Sequence, residues 1–198
     1  MMTSTRDALL DAGVALIAEH GFAAVTVGQI EQAAGFTPRG GTLYRHFKSK
    51  RELLDAALQR HVDSLSDQDG LTDLLPLPDL TSELRVIGRW ILSRLDAEEL
   101  ISRVLEKEGH QLGKLADVMR EGISEPGYRL FAAYLDDRSE GEPDDSTAIA
   151  VMLVGALVNL RRSTWTFGRP PASLDDDRAV DAWVHLCLSA LALNCLQA

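Results

Sequence analysis

Apolar residues recur at three- and four-residue spacing from one end of this 198-residue chain to the other. No run of strict two-residue alternation stands between turn signals, so the pattern predicts an all-α fold. Residues 5–19 place Ala8, Leu9, Ala12, Leu16 and Ile17 on one face and stop at His20-Gly21, the glycine stop of a helix. Thr26-Val-Gly-Gln29 has capping-box spacing and opens a short helix through Val27, Ile30, Ala33 and Ala34 that Gly35 closes. Thr37 before Pro38 predicts another helix start, an N-cap followed by proline at the first helical position. Ser49-Lys-Arg-Glu52 is a second capping box, opening a helix over 49–67 through Leu53, Leu54, Ala57, Leu58 and Val62. Pro76 and Pro78 mark a linker. Beyond it the spacing predicts helices over 80–96, 98–109, 111–124, 127–137, 146–166 and 175–196, about nine helices in all. Gly109, Glu125-Pro126-Gly127, an acidic loop over 136–145 and Gly168-Arg-Pro-Pro171 are the expected breaks.

Composition narrows the class of molecule. Hydrophobic residues make up 45% and charged residues 25%, ordinary values that exclude a disordered or collagen-like chain. Cys187 and Cys195, eight apart on one helical segment, lie about 12 Å apart along its axis at ~1.5 Å per residue and cannot bridge within the chain. The first residues lack the basic-then-apolar pattern of a secretion signal. The longest unbroken apolar run, 148–158, is 11 residues, too short to span a bilayer. A soluble cytoplasmic protein without membrane partners is the expectation.

Net charge is −10, which taken alone argues against nucleic acid. Its distribution reverses that inference. Residues 1–52 carry a net +1 and the remainder a net −11, and 39–51 holds five bases, one histidine and no acid. A basic patch on an acidic body suits a molecule that touches phosphate with one end, although a solvated basic face would look the same. Two short helices joined by a glycine turn form the helix-turn-helix pattern. Thr37, Arg39, Thr42, Tyr44 and Arg45 give its second helix a small and polar face able to read base edges. Lys48 and Lys50, at the start of the next helix, can pair with phosphates. Leu43 and Phe47 are expected in the core.

At these residues the chain resembles the TetR family of transcriptional repressors. The resemblance lies in Ala12-Gly-Val-Ala-Leu-Ile-Ala-Glu-His-Gly-Phe22, Thr26-Val-Gly-Gln-Ile30, Ala33-Ala-Gly35, Thr42-Leu-Tyr-Arg-His-Phe-Lys-Ser-Lys50 and Glu52-Leu-Leu54, in matching order and spacing over about 4–60. It implies that Tyr44 and His46 contact DNA backbone or base edges, that Thr26 and Lys48 anchor phosphates, and that Lys50 fixes the fourth helix against the backbone. It also implies a three-helix DNA-binding domain over 1–50, a linking helix over 49–67, and a regulatory domain for ligand binding and dimerisation over 68–198. Six residues, 36–41, separate Gly35 from Thr42, about two more than the family's usual pattern. Either the turn is longer, or the second helix starts early and tolerates two glycines at about 1 kcal/mol each.

The last two predicted helices are apolar on more than one face. Val151, Val154 and Val158 on the first, with Val180, Trp183, Val184, Cys187 and Leu191 on the second, are expected between two copies in a two-fold four-helix bundle. A buried hairpin within one chain is the other solution. A symmetric dimer suits a palindromic operator, because each short helix reads one half-site. Trp90, His110, Met119, Tyr128, Phe131 and Trp165 are candidates to line a small-molecule pocket, each of which an ordinary core would also explain. No catalytic motif, phosphate loop or metal-like spacing of the five histidines is present, so neither enzyme activity, metal nor cofactor is expected. The resulting expectation is a ligand-responsive, homodimeric, DNA-binding regulator, with a small-molecule carrier or sensor bearing a vestigial DNA-binding region as the rival.

Overall fold

The computed structural model describes residues 4–65, 71, 75–139 and 145–194, and among them it contains helices and turns without strands. Cys195, most of the predicted linker and the centre of the acidic loop lie outside the described residues. Among the described residues nine α-helices form: α1 (Thr5–His20), α2 (Val27–Ala33), α3 (Lys50–Leu65), α4 (Leu80–Ala97), α5 (Glu99–Glu108), α6 (Lys114–Met119), α7 (Glu125–Arg138), α8 (Ser146–Phe167) and α9 (Asp176–Asn194). Local chemistry explains most of these boundaries. Ser4 caps α1 by accepting from Asp7 N at 3.1 Å, and Asp145 caps α8 by accepting from Ala148 N at 3.0 Å. Gly168, at φ +68, ends α8 in the left-handed conformation.

Three expected boundaries fail. The helix expected from 111 starts only at Lys114, after Gly113 at φ +56. Pro126-Gly127 does not interrupt a helix; Pro126 sits in the first turn of α7, where no backbone donor is needed, and a π-turn over Arg120–Ser124 precedes it. More important for function, no helix starts at Thr37-Pro38. Arg39 has φ +61 and Gly41 φ +73, so right-handed helix cannot run through them. Only a 3-10 turn, Leu43–Arg45, forms there. The longer-turn alternative is the one the chain adopts.

The helices pack into two compact units. One comprises Met1–Gln68 with Glu98–Ile123, the other Asp69–Ala97 with Ser124–Ala198. Packing therefore divides the chain differently from a single boundary at 68, because α5 and α6 join the N-terminal helices. The core of the first unit gathers Leu9, Leu10, Ile17, Ile30, Leu43, Leu53, Leu54, Leu58, Val104 and Met119, all at 1% exposure or less.

In the second unit the apolar stripe of α9 corrects the dimer-interface expectation. Val180, Trp183, Val184, Cys187 and Leu191 lie in the chain's own core, between 0% and 7% exposed, with Leu84, Ile87 and Ile91 of α4 and Leu153 and Leu157 of α8. Trp183 donates its indole N–H to Leu153 O at 2.9 Å and stacks on Phe131 at 5.3 Å between centroids. Gly88 makes this approach feasible, since a Cβ there would stand 3.1 Å from the Trp183 ring. Burial pushes the Cys187 thiol up to about 12, so this sulfur is an inert core group. On α8, Val154 and Val158 are half-buried; Val151 and Met152 face outward, as does Leu186 of α9.

Candidate nucleic-acid interface

The candidate surface begins with how α1 ends. Its last carbonyls have no partner within the helix, and Lys107 of α5 supplies one, donating from Nζ to Ala18 O at 2.6 Å and Glu19 O at 2.7 Å. The next residue of α5, Glu108, is buried and accepts from Phe22 N at 2.8 Å. From the other side Lys50, at the start of α3, donates to the carbonyls of Phe22 and Val25. Its ammonium also stands 4.2 Å from the centroid of the Phe22 ring. Burial holds Lys50 below the ordinary lysine value, opposed by the negative charge of Glu108. The connector between α1 and α2 is thus held by charged side chains from α3 and α5.

The capping box then opens α2 as the sequence predicts. Thr26 Oγ1 accepts from Gln29 N at 3.3 Å, and Gln29 Oε1 accepts from Thr26 N at 2.8 Å. After α2 the chain turns through Gly35 at φ +84, and Gly40 N donates to Thr37 O at 3.0 Å. The 3-10 turn follows, held by His46 N donating to Leu43 O at 3.0 Å. Leu43 and Phe47 point inward at 0% and 3% exposure, and Tyr44 points outward at 60%. Thr37, Arg39, Arg45, His46 and Lys48 are exposed with it, Thr42 partly so. The second predicted box forms in part and ends the segment: Glu52 N donates to Ser49 Oγ at 3.1 Å, but the Glu52 carboxylate accepts from Lys48 N at 2.7 Å and not from Ser49 N.

Two bases of the predicted patch serve the fold. Lys50 fastens α3 to the connector, as above. Arg51 donates to Gln111 O and Leu112 O, both at 3.1 Å, and pairs with Asp55 at 2.8 Å. Sequence reading missed two further residues of the site, one basic and one acidic. Arg6 lies 5.3 Å from the centroid of the Phe47 ring, beside the same turn. Glu31 is fully buried and accepts from Leu43 N at 2.9 Å. Its signal was present: position 31 lies on the inward stripe of Val27, Ile30 and Ala34 at helical spacing.

The pocket candidates do not gather in one unit. Trp90, Tyr128, Phe131 and Trp165 belong to the second unit; His110 and Met119 belong to the first. His110 is exposed beside Gln111, and Met119 is core at 1% exposure. Phe131 is also core, whereas Trp90 is half-buried with the Arg94 guanidinium 5.9 Å from its ring centroid. No cluster of three His, Cys, Asp or Glu able to hold a metal occurs among the described residues. No helix among them is long and apolar enough to cross a membrane.

An exposed basic and aromatic turn after a capped short helix stands where a helix-turn-helix protein presents its DNA-contacting element, with a 3-10 turn in place of a full second helix. Comparison with known proteins narrows the class. Residues 9–57 match the model of the bacterial regulatory proteins of the tetR family. The HTH-type transcriptional repressor KstR2 of Rhodococcus jostii (strain RHA1) is 43% identical over 190 residues, covering 94% of this chain and 91% of that protein. A putative TetR-family regulator from Mesorhizobium loti has a similar fold, with TM-score 0.72 at 18% identity and 96% of each chain covered. The fatty acid degradation regulator FadR from Bacillus halodurans does likewise, with TM-score 0.68 at 21% identity, covering 95% of this chain and 96% of that one. The chain belongs to the TetR family, whose members are transcription factors and not enzymes.

Proposed function

We propose that the protein is a ligand-responsive repressor that binds a palindromic operator as a homodimer and is released by a small-molecule effector. The observation that carries this reading is the turn at 43–47. Two of its residues are buried anchors, and between them Tyr44, Arg45 and His46 are presented outward beside Arg39 and Lys48. A tyrosine exposed at 60% contributes little to the fold, and among bases it suits a phosphate or base edge. In this reading Arg45, Tyr44, His46 and Thr42 face the groove, Arg39 and Thr37 flank it, and Lys48 meets phosphate. Thr26 caps α2 close to the same backbone, and Lys50 holds α3 in place.

Dimerisation is assigned to the outward faces of α8 and α9, where Val151, Met152 and Leu186 are exposed. Two such faces make a four-helix bundle and set two reading turns about 34–36 Å apart or at a related spacing. The regulatory domain comprises 68–198 in this reading, and Trp90, Tyr128 and Trp165 are its effector candidates. An effector acts by binding one spacing of the two turns more tightly than the other. The protein then works in the cytoplasm, where its operator is.

Gel shift on a duplex covering the promoter of the protein's own gene, with sedimentation alongside, tests this. Tyr44→Ala and Lys48→Ala should each weaken binding about tenfold, a charge-assisted or aromatic contact apiece, and leave the sedimenting species unchanged. Undiminished affinity in both variants refutes the assignment.

A further inference from the structure

We propose that Glu31 is a positioning residue for the DNA-contacting turn: its buried carboxylate, through the Leu43 backbone amide, sets where Tyr44, Arg45 and His46 stand. The inference rests on the DNA-binding reading above and adds to it a residue outside the exposed surface.

The need for such a residue follows from the backbone. A helix that began at Pro38 would supply acceptors for its own later amides. Here Arg39 at φ +61 and Gly41 at φ +73 rule that out, and Thr42 makes no side-chain cap bond at the start of the 3-10 turn. The Leu43 N–H is therefore a buried donor at the head of the turn, in a residue of 0% exposure. A donor left unpaired in that place is unfavourable. Glu31 Oε1 accepts from it at 2.9 Å.

The geometry makes this bond a fastener between elements. Glu31 belongs to α2, whose own start is fixed by the Thr26–Gln29 box and whose preceding connector is held by Lys50 and Glu108. Between Glu31 and Leu43 the chain turns through 35–41, where Gly35, Arg39 and Gly41 take positive φ and no helix fixes its path. One bond across that turn removes the slack. Glu31 is an unfavourable residue to bury on any other account, since its Oε2 meets no hydrogen-bond partner among the described residues. An apolar side chain at 31 would avoid that penalty and leave the Leu43 amide orphaned.

Glu31→Gln and Glu31→Met separate the acceptor from mere volume, because both match glutamate in length and only glutamine retains a carbonyl oxygen. Amide hydrogen exchange and chemical shifts, followed by NMR, are measured first. In Glu31→Gln the Leu43 amide should stay protected. In Glu31→Met its protection should fall about tenfold or more, with shifts spreading over 44–47 and exchange in the middle of α1 and α3 unchanged. Affinity for the own-promoter duplex should fall about tenfold in Glu31→Met and stay within about twofold in Glu31→Gln. Wild-type behaviour of Leu43 to His46 in Glu31→Met overturns the proposal, and so do equal losses in both variants. If Glu31→Met does not fold, Glu31→Asp serves: an acceptor one methylene shorter must shift the turn or release the amide, and an unchanged Leu43 amide overturns the idea. A wild-type protein indifferent to the duplex counts against the DNA-binding reading alone, and the Leu43 amide then decides for Glu31 by itself.

Discussion

The two packing units hold their helices by different means. In the first, charged side chains mostly reach backbone: Lys107 to Ala18 and Glu19, Glu108 to Phe22, Lys50 to Phe22 and Val25, Arg51 to Gln111 and Leu112, Glu31 to Leu43. Arg60 of α3 also pairs with Asp7 and Asp11 of α1. In the second, charged side chains mostly meet one another. Arg161 of α8 joins Asp96 of α4 and Asp176 of α9 at 2.7 Å each, and Arg85 and Arg89 pair with Asp181 and Asp177. Glu83 accepts from Tyr134 at 2.8 Å and from Arg138 at 2.9 Å. The difference has a physical consequence. A side chain bound to a carbonyl or amide fixes the path of the main chain at that residue, as a surface matched to DNA requires. An ion pair between long side chains tolerates small displacements of the helices that carry it. The first arrangement suits a surface that reads DNA; the second lets the helices that carry the pairs shift slightly.

The largest expected effect lies in the second unit's core. Trp183→Ala should cost about 3–5 kcal/mol in urea unfolding, since it removes the indole that fills the space beside Gly88 and its bond to Leu153 O. Lys50→Met comes next, at about 2 kcal/mol for a charged donor lost from two part-buried carbonyls. Faster amide exchange should be confined to 21–27 and the ends of α1 and α3; equal loosening in α8 or α9 would break the contrast between the units. The smallest effect concerns pH. Burial pushes the Glu83 carboxyl up, but the bonds from Tyr134, Leu77 N and Arg138 outweigh it and hold it below its usual value. A depressed carboxyl gives stability that is complete above the unfolded-state value of 4.5 and is lost as pH falls through the folded-state value. Glu83→Gln should therefore cost about 1–2 kcal/mol at pH 7 and flatten the acid limb of the stability profile. An acid limb as steep as the wild type's would remove Glu83 from the account.

Much of this was legible in the sequence because it is local. The capping box at Thr26, the Ser49 cap and the inward anchors Leu43 and Phe47 are set within a few residues of chain, and the structure has them where the spacing puts them, although Glu52 reaches Lys48 N and not Ser49 N. The turn at 37–41 was legible only as a choice between two conformations. Glycine at 40 and 41 permits a break without requiring it, and the left-handed Arg39 between Pro38 and Gly40 carries no residue-type signal. Glu31 stood on the correct face, yet an acid on an apolar stripe does not declare its acceptor role until the amide it meets is known.

What the sequence determined by itself is the helical class, most of the helix starts and the basic turn. Periodicity, caps and the order of residue types settle these over distances of one or two helical turns. Tertiary structure decided which apolar face each helix gives to its own core. Trp183 and its neighbours on α9 carry the same pattern whether a second copy or α4 covers them, and the choice fell to α4, where Gly88 admits the ring. It also placed α5 with the N-terminal helices. Burial is a property of what comes from elsewhere in the chain, and hydrophobic spacing states the need for a partner without naming it.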